Sequence, residues 1–354
     1  MPWIWLGKGS LRKTDMIRSE KMKKTIPVLS TVLVVFMLIG SAALAGEETV
    51  FSGNLRLGYV NMKDTDEKEF EDSFSLHYVE LRAAKQVGDM GVFINHRIGD
   101  DGKNYLYEGW ASYKAPDPIG TIKLGLVPVP FGIFANGLYY PKGVPYAKGW
   151  MWQYFYGARY DGMFKASEAL GVNVSAAYFD KGFASNQRDT ISGRIGADIG
   201  VPDLLEVKAG GSVQMATLKG IAPEEGAAVP EDETKLGIAG DVTLTPKMIP
   251  VPVSLLGEFI NYSLGEDDTQ KGNILMGQLD VTPVQKIGIL DKAILSLHYG
   301  MDSPTEGDSL TTMIAQLRLI MCKQFNIFAQ VFGDKVGDED MSNQGIRVWF
   351  MYVF

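Results

Sequence analysis

Charged side chains recur in this sequence as single members of short alternating runs. Arg56, Arg97, Lys123, Arg159, Arg194, Lys208, Arg318 and Arg347 sit between mostly apolar neighbours, and Glu108, Asp161, Asp198, Glu206, Asp241 and Asp280 do the same. A period of two gathers such groups on one face of a strand. On the inner wall of a closed sheet, both signs of charge would set a transverse field across water and sort solutes by charge and dipole. That chemistry is electrostatic; the alternative role is structural, as paired charges that stiffen a packed or plugged barrel. Near 76–82 and 92–98 the parity is broken as a β-bulge would break it, so His77 and His96 could point either way.

Bond-making chemistry finds no support. His77, His96 and His298 fall in separate segments without ligand-like spacing. Gly240-Asp241 and Gly257-Glu258 belong to no phosphate-binding or nucleophile pattern. Gly265-Glu266-Asp267-Asp268 is acidic but lacks the alternating ligands of a calcium loop, and is better read as a solvated loop. No enzymatic activity, cofactor or metal site is expected.

The elements that would carry the charges are strands. Phe51, Leu55, Leu57 and Tyr59 share one parity, and Ser52, Asn54, Arg56 and Gly58 the other. Ile122, Leu124 and Leu126 alternate with Thr121, Lys123 and Gly125, and Ile191, Ile195 and Ile199 alternate with Ser192, Arg194 and Asp198. The pattern returns at 293–302 and 311–322. Its charged parity against a Leu, Ile, Val and aromatic parity fits a wall with water inside and lipid outside. Aromatic residues collect near segment ends, as at Tyr105, Tyr107, Trp110 and Tyr113, where rings with a polar edge suit the headgroup level.

Sixteen segments can be placed: 50–62, 73–87, 90–99, 104–115, 119–131, 153–166, 170–181, 189–200, 204–219, 234–245, 251–264, 272–283, 293–302, 311–322, 324–334 and 344–354. The expected fold is an all-β closed antiparallel transmembrane barrel of sixteen strands, with fourteen as the alternative count. Tight links at Gly88-Asp89, Pro116-Asp117-Pro118, Val201-Pro202-Asp203, Pro246-Lys247 and Lys323 follow even-numbered segments, and long ones at 63–72, 132–152, 220–233 and 335–343 follow odd ones. Two links break the rule: 284–292 is long on the short side, and 100–103 is short on the long side.

The chain has 354 residues, 46% hydrophobic and 21% charged, and a mean hydropathy near zero, too polar for a helical membrane protein. Its longest apolar run, Ile26 to Leu44, follows Lys21, Lys23 and Lys24 and ends at Ala43-Leu44-Ala45, the three parts of a secretory signal peptide. The expected layout is an upstream extension or start-assignment artefact at 1–21, a signal peptide at 22–45 cleaved after Ala45, and a single barrel domain at 46–354. Residues 1–45 hold seven Lys/Arg and two Asp/Glu, so the mature chain carries 27 basic and 40 acidic groups and a formal net charge of −13. That charge makes nucleic acid a poor partner. Cys322 is alone, which excludes an internally disulfide-stapled domain and suggests a buried or turn thiol.

The final segment is the most regular. Ile346, Val348, Phe350, Tyr352 and Phe354 share a parity, and the run resembles the C-terminal targeting strand that the barrel-assembly machinery recognises in outer-membrane barrels. Tyr78-Val79-Glu80-Leu81-Arg82-Ala83-Ala84, Gly109-Trp110-Ala111-Ser112-Tyr113 and Thr121-Ile122-Lys123-Leu124-Gly125-Leu126-Val127-Pro128-Val129-Pro130-Phe131-Gly132 resemble segments of the Gram-negative phosphate-selective (polyphosphate-selective) porin family. The general barrel pattern covers almost the whole mature chain, and these local matches cover its first third. The resemblance implies sixteen strands, a homotrimer in outer-membrane lipid and lipopolysaccharide, and passive diffusion of small hydrophilic, often anionic, solutes. The sequence departs from that family at Glu80, where arginines would be expected, and in lacking a dense lysine cluster on its loops.

The long connection 132–152 is apolar and aromatic, and has the ordinal position of the third external loop that folds inward in sixteen-strand porins. Folded inward, it would bring Lys142 and Lys148 to a constriction with Tyr139, Tyr140 and Tyr146 against the wall; folded outward, it would cap the rim or meet another subunit. The leading functional expectation is a diffusion channel. The alternative is a barrel that sheathes a periplasmic electron-transfer partner or serves as an envelope structural protein.

Overall fold

The computed structural model describes residues 49–63, 70–99, 104–116, 118–133, 154–181, 187–218, 231–263, 271–337 and 344–354. Its first eight strands are β1 Thr49–Lys63, β2 Phe70–Val87, β3 Met90–Gly99, β4 Asn104–Ala115, β5 Gly120–Pro128, β6 Tyr154–Lys165, β7 Leu170–Lys181 and β8 Gln187–Val201. The second eight are β9 Leu205–Leu218, β10 Glu233–Pro246, β11 Val253–Ser263, β12 Lys271–Ile287, β13 Leu290–Pro304, β14 Leu310–Met321, β15 Phe325–Val336 and β16 Gln344–Val353. Each strand pairs with its sequence neighbours, and β1 pairs with β16, so the sheet closes on itself. The sixteen-strand antiparallel barrel expected from the alternation is the fold observed, and no helix occurs among the described residues.

Closure answers a backbone problem. An open edge leaves a row of N–H and C=O groups without partners, which no apolar medium supplies. Here β1 and β16 are in register from Asn54 opposite Val353 to Lys63 opposite Gln344. Beyond that ladder, Gly53 and Phe354 exchange both backbone hydrogen bonds, at 3.0 and 3.1 Å. Phe354 thus completes the seam through its main chain, while its ring stacks on Tyr352 with centroids 6.3 Å apart.

Connections between even-numbered strands and their successors are short, as parity requires. Gly88 takes a φ of 55° between β2 and β3, a region that costs glycine little. Between β14 and β15, Cys322 and Lys323 take φ values of 51° and 60°, and the Lys323 amide donates to the Asp291 carboxylate at 2.6 Å. The cysteine is exposed in that turn.

The structure corrects the expected long link at 284–292. β12 runs to Ile287 and β13 starts at Leu290, leaving only Gly288 and Ile289 between them. A register slip between Val281 and Val284 brackets Pro283, which has no N–H for the ladder, and this masked the continuing strand. A second correction concerns strand five, read as 119–131: it ends at Pro128. The expected irregularity at 92–98 is a slip between Asn95 and His96, with Tyr107 the extra residue on β4.

The two faces differ sharply. Outward positions leave Ile195 60%, Ile238 50%, Phe259 49%, Leu297 46% and Ile346 51% exposed. Inward positions carry Glu80, Ser192, Gln214, Glu258, Gln316 and Gln330, all buried. Leu126 departs from the pattern: it is fully buried, whereas Leu124 is 57% exposed, and the intervening Gly125 takes a φ of 132°.

Candidate functional site

The barrel interior gathers the ionisable groups into separate clusters. On β2 and β3, Glu80 is fully buried and accepts from Arg82, from Arg97 Nε at 2.9 Å and from Asn95 Nδ2 at 3.0 Å. Glu80 stands opposite Arg97, and Arg82 opposite Asn95, two rungs apart on the same face of one ladder, which brings the four together. The Arg97 guanidinium lies over the Tyr107 ring, 3.4 Å from its centroid, and 4.7 Å from that of Tyr78. Arg56 of β1 lies 4.7 Å from the same Tyr78 centroid. The bulge at Tyr107 adds a ring to this interior cluster beside Glu108, a departure from strict alternation.

The next cluster spans β4 to β7. Asp161 accepts from Arg159 Nε at 2.8 Å, from Ser175 Oγ at 2.8 Å and from Lys123 Nζ at 3.2 Å. Lys123 also lies 5.0 Å from the Trp110 ring centroid, and the Trp110 indole N–H donates to Glu108 at 2.7 Å. Further round, Arg194 of β8 pairs through both terminal nitrogens with Asp241 of β10, two strands away. Such a two-pronged contact fixes the guanidinium plane as well as its position. Asp198 accepts from Asn173 Nδ2 at 2.9 Å, and Lys208 meets Glu206 at 3.4 Å with both side chains well exposed.

A strap of chain enters this interior. Pro128 and Pro130 lack N–H groups and so cannot extend the ladder, and the backbone leaves the wall. Its polar groups find partners on successive strands: the Pro128 carbonyl accepts from Arg159 at 3.0 Å and the Pro130 carbonyl from Ser192 Oγ at 3.2 Å. The Gly132 amide donates to Ser212 Oγ and the Ile133 amide to Glu258 Oε1, both at 3.1 Å. The anchors lie on β6, β8, β9 and β11 in turn, so the strap runs along the inner wall. Phe131, 2% exposed, joins a buried apolar cluster with Val127, Phe155, Phe179, Ile260 and Met276. Between the strap and β4 to β8 lies a cavity of about 560 Å³, lined in part by Glu108, Lys123, Arg159 and Arg194.

The far wall holds acids in capped positions. Asp302 accepts from the Tyr262 hydroxyl at 2.7 Å and Asp334 from Thr312 Oγ1 at 2.8 Å, and both are buried. Arg318 of β14 donates to Asn326 Oδ1 from Nε at 3.3 Å and Nη2 at 3.1 Å. Its guanidinium lies 5.1 Å from the Phe328 centroid, and Phe328 stacks on Trp349 with centroids 5.1 Å apart and planes 9° apart. Arg347 stands 5.9 Å from the Trp349 and Phe332 centroids.

Of the residues singled out in the sequence, the structure turns Arg56, Arg97, Glu108, Lys123, Arg159, Asp161, Arg194, Asp198, Arg318 and Arg347 to the interior, in separate clusters rather than one ring. Lys142, Lys148 and the rest of 134–152 lie outside the described residues, as does the leader. His298 is buried, and His96 sits opposite Leu81. Ser192, Ser212 and Glu258 are not among the candidate site residues of the sequence; they anchor the strap, and the signal for that role is the pair of prolines that forces the chain off the wall. Among the described residues no group of three or more His, Cys, Asp or Glu is placed to hold a metal ion.

The closed sixteen-strand barrel is a fold shared with solved outer-membrane porins and channels. Solved structures with this fold include an anion-selective porin from Comamonas acidovorans, with a TM-score of 0.59 at 12% identity over 87% of this chain and 100% of that chain. OprB of Pseudomonas putida gives 0.61 at 11% identity over 89% and 96%, and the loop L8 deletion mutant of OmpT from Vibrio cholerae gives 0.62 at 14% over 87% and 99%. No family model matches the chain, and no curated protein matches it in sequence.

Proposed function

We propose that the chain forms a water-filled channel through which small hydrophilic solutes or ions diffuse passively across a Gram-negative outer membrane. The observation that carries this reading is the division of the barrel's faces: large apolar side chains stand exposed outside, and ionisable groups converge inside. An apolar belt of this extent suits a lipid face, and a charged interior suits water. Export through a signal peptide cleaved after Ala45 and assembly through the Phe350, Tyr352 and Phe354 strand belong to the same reading. So does a homotrimer, which rests on the family resemblance.

Selectivity in this reading comes from the interior charges and from the connection after β5. The strap at 128–133 carries that connection inward at its start. It also speaks against a sheath for a periplasmic electron carrier, which needs an open bore. Planar-bilayer recording of the purified mature protein tests the proposal: stepwise conductance is expected, with reversal potentials in a salt gradient reporting ion preference. Folded barrel that never conducts would overturn it. Deleting 138–148 is expected to raise single-channel conductance, and an unchanged value would place that segment away from the bore.

A further inference from the structure

Three neighbouring strands set a single row of side chains across the interior wall. Arg318 of β14 stands directly opposite Phe328 of β15, and Phe328 directly opposite Trp349 of β16. The next residue in the row is Gly58 of β1, opposite Trp349. A methyl group on Gly58 would sit 3.5 Å from the Trp349 Cβ, an ordinary van der Waals contact. The rings are almost wholly buried, Phe328 at 8% and Trp349 at 2%, whereas the arginine is partly open to the interior. The direct contacts of Arg318 among the described residues are with neutral groups, the Asn326 amide oxygen and the Phe328 ring, and its charged neighbour is a second cation, Arg56.

Most interior cations near the strap are held differently. Arg159 and Lys123 share Asp161, and Arg194 takes Asp241, so those guanidinium and ammonium groups bring their own counter-charge. A ring face orients a guanidinium by its quadrupole and cancels none of its charge. An amide oxygen does the same with a dipole. We propose that Phe328, backed by Trp349, is a specificity-determining positioning residue that presents Arg318 to the channel as a fixed cation for small anions. The inference rests on the channel reading above and names the ion class that this part of the wall favours. It also separates orientation from charge: a flexible ammonium at position 318 would keep the charge and lose the planar stack.

The test is the anion-to-cation permeability ratio of the mature protein in planar bilayers, taken from reversal potentials in a potassium chloride gradient. The wild type is expected to favour chloride. Phe328→Leu removes no charge, yet the ratio is expected to fall about two- to fivefold, the factor one cation–π contact supports. Phe328→Tyr keeps a ring and is expected to keep the ratio, and Arg318→Lys is expected to lower it despite the retained charge. Resistance to unfolding in cold detergent, read by gel mobility, confirms that each barrel is closed. Should Phe328→Leu fail to close, Arg318→Lys carries the test, because it leaves the buried rings in place. A wild-type ratio in Phe328→Leu or Arg318→Lys overturns the positioning role while leaving the channel intact. A cation-preferring wild type overturns the anion assignment, and a folded wild type without conductance overturns the channel reading and this one together.

Discussion

Glu80 shows how one residue changes meaning when its neighbours become visible. In the sequence it interrupts a stretch where arginines would be expected; in the barrel it is the buried acceptor that holds Arg82, Arg97 and Asn95 together. A buried carboxylate with several donors is stable only as a set, since removing one member leaves the others to bear the desolvation. Glu80→Ala should therefore cost about 3 kcal/mol of unfolding free energy, within the range for breaking a buried pair. Urea titration of the protein in lipid vesicles measures it, and the double substitution Glu80→Ala with Arg97→Ala should cost less than the sum of the two singles. Additive costs would mean the pair is not coupled. Gly157 makes the complementary point about space: a Cβ there would collide with the Tyr178 carbonyl and the Phe179 backbone. Gly157→Val is expected to abolish the heat-resistant barrel form on unheated gels.

The elements owe their order to a small set of local rules, and the strap is where those rules stop. Ser212 and Glu258 supply the acceptors for the Gly132 and Ile133 amides, from two different strands. Replacing both with alanine removes those acceptors without touching the ladder. Larger current fluctuations in the open channel are expected, with gel mobility unchanged; quiet recordings would mean the strap is held by Phe131 packing and by the remaining contacts of Arg159 and Ser192. Strand positions were legible because period-two alternation survives in nearly every segment, and the wall built from it is the wall observed. Pairing across strands was not legible. Asp241 finds Arg194 from 47 residues away, and no local pattern in either segment points to the other. A bulge hid a further part: the slip at Val281 changes which residues oppose each other without changing composition, whereas broken parity at 92–98 announces the slip at Asn95. The strap reads in sequence as the end of strand five, because Val127, Val129 and Phe131 continue the alternation that Pro128 and Pro130 break only at the backbone.

At the scale of the whole barrel, the outer surface decides which solvent the fold is built for. Leu297 sits mid-strand on β13 and is 46% exposed, while Val201 ends β8 and is 41% exposed. In water, arginine at either position would change stability little, because exposed sites away from special features tolerate substitution. In a bilayer the two sites differ in depth. Leu297→Arg places a guanidinium near the hydrocarbon midplane, at a cost of about 2–4 kcal/mol, and Val201→Arg places it near the interface, at about 0–1 kcal/mol. Urea unfolding of both variants in vesicles, against the wild type, reads the difference directly. Equal small losses at both positions would mean that this face does not meet lipid at Leu297. A large loss confined to Leu297→Arg would set β13 across the membrane with its apolar parity outward, which the exposed Leu295, Leu297 and Tyr299 already require of a barrel that keeps Ser296 and His298 inside.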